Sequence, residues 1–224
     1  MELVSNAVLY FHKGGFVMYL LLVCSLFVVS IAIERSMFFS KMDAGRKFAQ
    51  SFYDFMTQQK YAEAAEAAKN ANGILPELLY GAMKLAGKNE SAVSSYMEVQ
   101  SGIALSQFRR RLYYLNVIVT MAPLLGLLGT ISGMISSFSV FDIDGGKATA
   151  ITGGVSEALI ATAFGLCVAI LALTVHSYFT QRIENIVTDM EQSFSLVEGE
   201  KENIAKAGVG ARGSGTDAAL ISRK

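Results

Sequence analysis

Three long stretches of this chain carry almost no charge: Gly14 to Ile33, Leu112 to Phe141 and Ala148 to Gln181. Each exceeds the roughly 18 to 20 apolar residues that take a helix across the hydrocarbon core of a bilayer. The pattern predicts an all-α integral membrane protein with spans at 14–34, 112–141 and 148–181. Between the first two spans, 35–111 reads as a helical loop. From Ala44 to Ala71 the apolar positions Phe48, Phe52, Phe55 and Met56, then Tyr61, Ala64 and Ala68, recur at helical spacing, and Asn72-Gly73 closes the run. Pro76 suits the first turn of a second helix that reaches about Leu85 and stops at Gly87. A third helix starts near Glu90 or Ser91 and meets no breaker before span two, which predicts one long rod. Span three is expected to continue over 182–198, where Ile183, Ile186, Met190, Phe194 and Val197 keep an apolar stripe among charged residues. Residues 1–13 are amphipathic enough to lie on a membrane surface, 142–147 form a short loop, and the Gly-rich 199–224 read as a flexible tail.

Composition agrees with this layout: 52% of the 224 residues are hydrophobic and 17% charged, against about 25% charged in soluble domains. The 19 basic and 19 acidic residues balance, with no basic block, so nucleic acid is not an expected partner. Basic residues crowd into 35–111, ending in Arg109-Arg110-Arg111, whereas 142–147 holds only Lys147 beside Asp142 and Asp144. Positive-inside counting puts the long loop and the C-terminus in the cytoplasm and the N-terminus outside. Cys24 and Cys167 both fall within spans, so no disulfide framework is read. His176 lies near the inner end of span three with no second ligand at suitable spacing. The sequence therefore calls for no metal and no cofactor, and it holds no phosphate loop, Cys/His cluster or nucleophile elbow that would mark an enzyme.

Glu157 is the one carboxylate in the third apolar run. Even mild insertion scales charge roughly 2.5 to 3.5 kcal/mol for Asp at a helix centre, so such a residue points to an ion or proton pathway or to a polar helix–helix contact. In span two, Asn116, Pro123, Gly126, Thr130, Gly133 and Ser137 fall within an arc of roughly 100°. Val117, Met121, Leu125, Leu128 and Ile135 take the other side. A small, polar face suits either close helix–helix contact or a water-accessible pore, and Thr130 could return its hydroxyl to its own backbone. Span three carries a comparable face in Ala158, Thr162, Gly165 and Ala169. Glu157, five residues from Thr162, points about 140° away from it on an ideal helix. Counted from the outer ends of the spans, Thr130, Glu157 and Thr162 lie about 16, 13 and 21 Å deep, close to one level. Gly153-Gly154 would permit a local distortion before Glu157.

Ala122-Pro-Leu-Leu-Gly-Leu-Leu-Gly-Thr130-Ile-Ser-Gly-Met-Ile, followed by Ile151-Thr-Gly-Gly-Val-Ser-Glu157-Ala-Leu-Ile-Ala-Thr162-Ala-Phe-Gly-Leu166, resembles the ExbB/TolQ/MotA proton-channel family, its ExbB/TolQ branch most nearly. The resemblance is carried by spans two and three; the rest matches in layout. It implies a homopentamer in the bacterial inner membrane, with spans two and three around a central pore. It further implies a single-span partner of ExbD/TolR type, whose intramembrane Asp carries the proton, and a TonB- or TolA-like protein that receives the work. By motif position, Thr130 and Thr162 match the family's pore-lining threonines and Glu157 its span-three glutamate. Gly126, Gly133 and Ser137 share the face of Thr130 and are candidate pore-lining residues, whereas Ala158, Gly165 and Ala169 form a close-packing face. One departure stands out: Leu171 replaces the proline that usually follows the Gly-Leu motif, so span three is expected to be straighter there. The expected function is the channel subunit of a proton-driven motor, with Thr130 and Thr162 on the path and Glu157 as a supporting polar group. The alternative is a non-conducting scaffold that organises partner helices.

Overall fold

The computed structural model describes residues 15–86, 90–143 and 148–209. Eight helices occupy the described residues: α1 (Gly15–Met42), α2 (Arg46–Thr57), α3 (Tyr61–Asn70), α4 (Ile74–Ala86), α5 (Glu90–Arg109), α6 (Leu112–Ile143), α7 (Ala148–Gly199) and α8 (Lys201–Lys206). No strand occurs among these residues. Three helices are long and apolar enough to cross a membrane, and the chain is a multi-pass membrane protein. The segment 1–13, most of the loop at 142–147 and the tail beyond 209 lie outside the described residues.

The chain divides into two compact units. The first combines Met1–Arg35 with Arg111–Thr180, and the second Ser36–Arg110 with Gln181–Lys224. In the first, large apolar side chains of all three helices point outward, among them Phe16, Leu26, Leu124, Ile135, Leu159 and Ile170. In water that surface would be unstable; in lipid, where every backbone group is satisfied within a helix, it is the ordinary arrangement. Inside, Met18, Leu21, Val28, Leu115 and Ile118 are buried beside small residues such as Ala122, Ala158, Ala161 and Ala172, which permit the close backbone approach that drives helix association in lipid. Phe27 of α1 meets Tyr114 of α6 edge to face at 6.2 Å. At the same end, Arg35 is buried and donates through Nε and Nη2 to both Glu34 oxygens at 2.7 and 2.6 Å. Arg111 Nη1 closes on Glu34 Oε2 at 3.2 Å.

The second unit is a helical domain with a conventional core. α4 packs against α3, α5 and α8, and α2 against α3. Phe39, Phe52, Leu79, Met83, Phe108 and Val197 are fully buried. Phe38 meets Phe39 and Phe108 edge to face, and the Phe39 and Phe108 rings lie tilted at 5.2 Å. Arg182 stands 5.3 Å over the Phe39 ring and donates to Asp43 Oδ2 at 3.0 Å. The other Asp43 oxygen accepts from the Gly45 amide at 2.8 Å, so one carboxylate fixes both the α1–α2 turn and α7.

Three details differ from the sequence expectation. The helix read from Ala44 to Ala71 is two helices, parted at Gln58–Lys60 where Gln59 adopts φ 59°. The rod expected from Glu90 into span two breaks at Arg110–Arg111, with Arg111 at φ 72°. The segment from Gly199 is not all tail: α8 follows, with Ile204 buried, and Tyr61 and Asn203 each donate to Glu200 at 2.7 Å. These bonds, Asn203 first, hold the Glu200 carboxyl below its usual range. In contrast, the extension of span three through 182–198 is present as the continuous 52-residue α7.

Candidate transmembrane site

The small residues of α6 and α7 meet as a seam, and the glycines set its spacing. A methyl placed on Gly165 would stand 2.7 Å from the Ala122 carbonyl oxygen and 3.0 Å from Gly126 Cα. One on Gly126 would stand 3.1 Å from Thr162 Cα, and one on Gly129 2.5 Å from Ala161 Cβ. Farther along, Gly133 faces the Gly154 carbonyl oxygen at 3.1 Å and Ala158 Cβ at 3.3 Å, and Gly154 is covered by Ser137. Numbers rise on one helix as they fall on the other, so α6 and α7 run antiparallel with backbone laid almost on backbone. Gly126, Gly133, Ser137, Ala158 and Gly165 thus all lie within this contact, and Ala169 is also buried. Gly153 faces open space and α7 runs through it unbroken, so the Gly-Gly pair serves approach at Gly154 rather than a bend.

Three hydroxyls line the seam in different ways. Thr162 Oγ1 crosses it and donates to the Gly126 carbonyl at 3.1 Å, using the lone pair that the helix bond leaves free. Thr130 Oγ1 turns back to the Leu127 carbonyl at 2.6 Å, and Ser137 Oγ to that of Gly133 at 2.8 Å. Thr130 and Thr162 are both half-buried, each one step past the Gly129–Ala161 contact in opposite directions. They are therefore about 3 Å apart along the bundle. Each hydroxyl keeps acceptor capacity after donating, at the edge of a seam whose middle is too tight for water.

Glu157 belongs to a different contact. Its side chain lies against Gly15, the first residue of α1: a methyl built there would meet Oε1 and stand 3.4 Å from Cδ. Twenty residues separate Gly15 from Arg35, about 30 Å of helix and the full hydrocarbon thickness. Glu157 is thus level with the head of the first span, nearer the membrane edge than its count from Ala148 implies. Val17, two residues on, lies 3.6 Å from the methyl position of Gly129, so α1, α6 and α7 converge just below it. Asn116, placed by phasing on the small face, is exposed.

Sequence reasoning overlooked Gly15, Gly129 and Gly154 as contact residues. Gly129 and Gly154 lie at helical spacing from Gly126 and Ala158, a signal that was present; nothing marked Gly15. In the second unit, Arg46, Tyr53, Asp54, Asp189, Gln192 and Ser193 line a cavity of about 240 Å³. Burial pushes the Asp189 carboxyl up, and the Arg46 charge partly offsets this. Among the described residues no three His, Cys, Asp or Glu side chains gather as metal ligands do.

Comparison with known proteins bears on this arrangement. The profile of the MotA/TolQ/ExbB proton channel family matches residues 70–192, which include all of α6 and most of α7. The ExbB-like 1 biopolymer transport protein of Synechocystis is 34% identical over 74% of this chain and 67% of its own length. The ExbB homolog of Methanothermobacter thermautotrophicus is 26% identical over 88% of this chain and 75% of its length. ExbB of Aquifex aeolicus is 33% identical over 38% of this chain and 58% of its length.

Proposed function

Because the chain belongs to the MotA/TolQ/ExbB proton channel family, we propose that it is the channel subunit of an inner-membrane motor that runs on proton motive force. The observation that carries the reading is the pair Thr130 and Thr162: two half-buried hydroxyls at one level, in a bundle whose described spans hold only Glu157 and, paired with arginines at the end of span one, Glu34 as acids. Hydroxyls can pass a proton along a water chain without trapping it, whereas a ring of fixed charge would hold cations. The seam between α6 and α7 is too close for water, so the path runs along its edge, between copies of the chain or against a partner. Gly126, Gly133 and Ser137, with Ala158, Gly165 and Ala169, support that edge by holding the helices at their spacing.

In this reading the chain assembles as a homopentamer, as its outward-facing apolar residues allow. A single-span partner of ExbD/TolR type brings the titrating Asp into the ring, and a TonB- or TolA-like protein spanning the periplasm receives the motion. The Gly15 end faces the periplasm and the Arg35 end the cytoplasm. The test is proton flux in liposomes containing the chain and its partner. Thr130→Ala and Thr162→Ala, each with assembly intact, are expected to abolish flux and energy-dependent transport. Unimpaired flux in both would refute the pathway. The scaffold reading draws on one observation, that the Thr162 hydroxyl is already satisfied within the chain. It predicts no flux from the wild-type assembly but loss of partner binding when the seam is disturbed.

A further inference from the structure

The Glu157 carboxylate turns away from the seam that holds both threonines and comes to rest on the head of α1. Three consecutive atoms of its side chain, Oε1, Cδ and Cγ, crowd the point where a residue 15 side chain would begin, the last two at 3.4 and 4.0 Å. Gly15 also sits at φ +69°, in the left-handed region that side-chain-bearing residues avoid. Glycine is therefore required there twice, for the backbone and for the space above it.

α1 runs for 28 residues from Gly15, and Glu157 is the one acid between Ala148 and Gln181. The position also has leverage. Glu157 lies five residues, about 7.5 Å, before Thr162 on the same helix, and Val17 touches the Gly129–Ala161 contact beside the threonines.

We propose that Gly15 is a positioning residue for Glu157: its bare Cα forms the seat on which the carboxylate rests, and through that seat the first span fixes the depth and rotation of α7 at Thr162. Glu157 is then an anchor between spans one and three, not a stop on the proton path. The activity arm of the following test rests on the channel reading; the other two arms do not.

The assembled full-length chain with its partner is used throughout. In a background of Cys24→Ser and Cys167→Ser, the pair Gly15→Cys and Glu157→Cys is expected to form an intrachain disulfide under mild oxidation, read as loss of maleimide labelling. Phe16→Cys with Glu157→Cys, whose first position is 78% exposed, should stay labelled. Equal labelling of both pairs overturns the contact. Because Gly15→Cys strains the backbone, thermal midpoints of Gly15→Ala with Glu157 present and on Glu157→Ala supply a second measure. The left-handed backbone cost is common to both and cancels. The shift should be clearly smaller on Glu157→Ala, and equal shifts overturn the seat. For activity, Gly15→Ala should lower proton flux by roughly tenfold. Glu157→Asp, one methylene shorter, should restore several-fold of that loss in the double variant. A double variant no better than Gly15→Ala overturns the positioning role. If the wild-type assembly carries no flux, the channel reading fails alone, and the disulfide and midpoint arms still decide the role of Gly15.

Discussion

Replacing Gly165 by Ala tests how the two central helices are held. The new methyl would lie 2.7 Å from the Ala122 oxygen, 3.0 Å from Gly126 Cα and 3.2 Å from Gly126 N. All three are backbone atoms, so no rotamer change relieves the contact and the helices must part locally by about 0.7 Å to reach ordinary separation. That movement stretches the 3.1 Å bond from Thr162 to the Gly126 carbonyl past the useful limit of about 3.5 Å. Overpacking costs about 1–3 kcal/mol, a lost interhelical bond in a membrane about 0.6, and the helix gains about 1 on exchanging Gly for Ala. The net loss is about 1–3 kcal/mol. Gly153→Ala is the control: its methyl meets nothing within 4 Å, so only the propensity gain applies. Equilibrium unfolding in mixed micelles of rising SDS content should separate the two variants by about 2–4 kcal/mol. Midpoints that coincide, or recovery of Gly165→Ala through truncation of a nearby side chain, would refute the backbone-on-backbone seam.

Thr162→Val keeps shape and removes the donor, so it should cost about 0.6–1.7 kcal/mol of stability, whereas Thr162→Ser should cost less. If proton flux falls far more with Val than that loss explains, while Ser retains flux, the hydroxyl acts on the path as well as in the seam. Asp189, in the second unit and outside span three, has its carboxyl raised above the ordinary 3.8, first by burial. A raised acid contributes stability below its unfolded value and loses it as pH rises through the folded one. Asp189→Asn should therefore raise the thermal midpoint at neutral pH, and the gain should vanish below about pH 4; a variant no more stable at pH 7 contradicts this. Glu200 has the opposite sign: its depressed value gives stability above the ordinary 4.5 that is lost as pH falls through the folded value. Tyr61→Phe removes one of its two donors, so amide protection in α8 should become less sensitive to acid when measured by hydrogen exchange between pH 3 and 7.

The spans were legible in the sequence because charge-free runs of that length have one stable use. So was the small face of span two, since glycines at intervals of three and four stack on one side of a helix whatever surrounds it. Which use that face has was not legible, because contact between helices depends on a partner that periodicity does not name. The divergence of Glu157 from Thr162 could be computed from helix geometry, yet its landing point on Gly15 could not: the two lie far apart in the chain and carry no shared pattern. The two helix breaks were hidden for another reason. Gln59 and Arg111 adopt left-handed φ without glycine, so the composition cue was absent. At the first break, the five-residue step from Met56 to Tyr61 was a faint signal that the stripe had changed phase. α8 is too short for any period, and Ile204 is its one buried residue.

A contact made of backbone has no soft coordinate. Side-chain interfaces yield by switching rotamers, each within reach of thermal energy, and so absorb displacement gradually. Between α6 and α7 the touching atoms are mostly carbonyl oxygens, α-carbons and single methyls, with only the short side chains of Ser137 and Thr162 among them, so there is little to switch. The pair therefore transmits force as one beam, and displacement has to be taken up at its outer faces, where Leu127, Ile131, Leu159 and Leu166 are exposed.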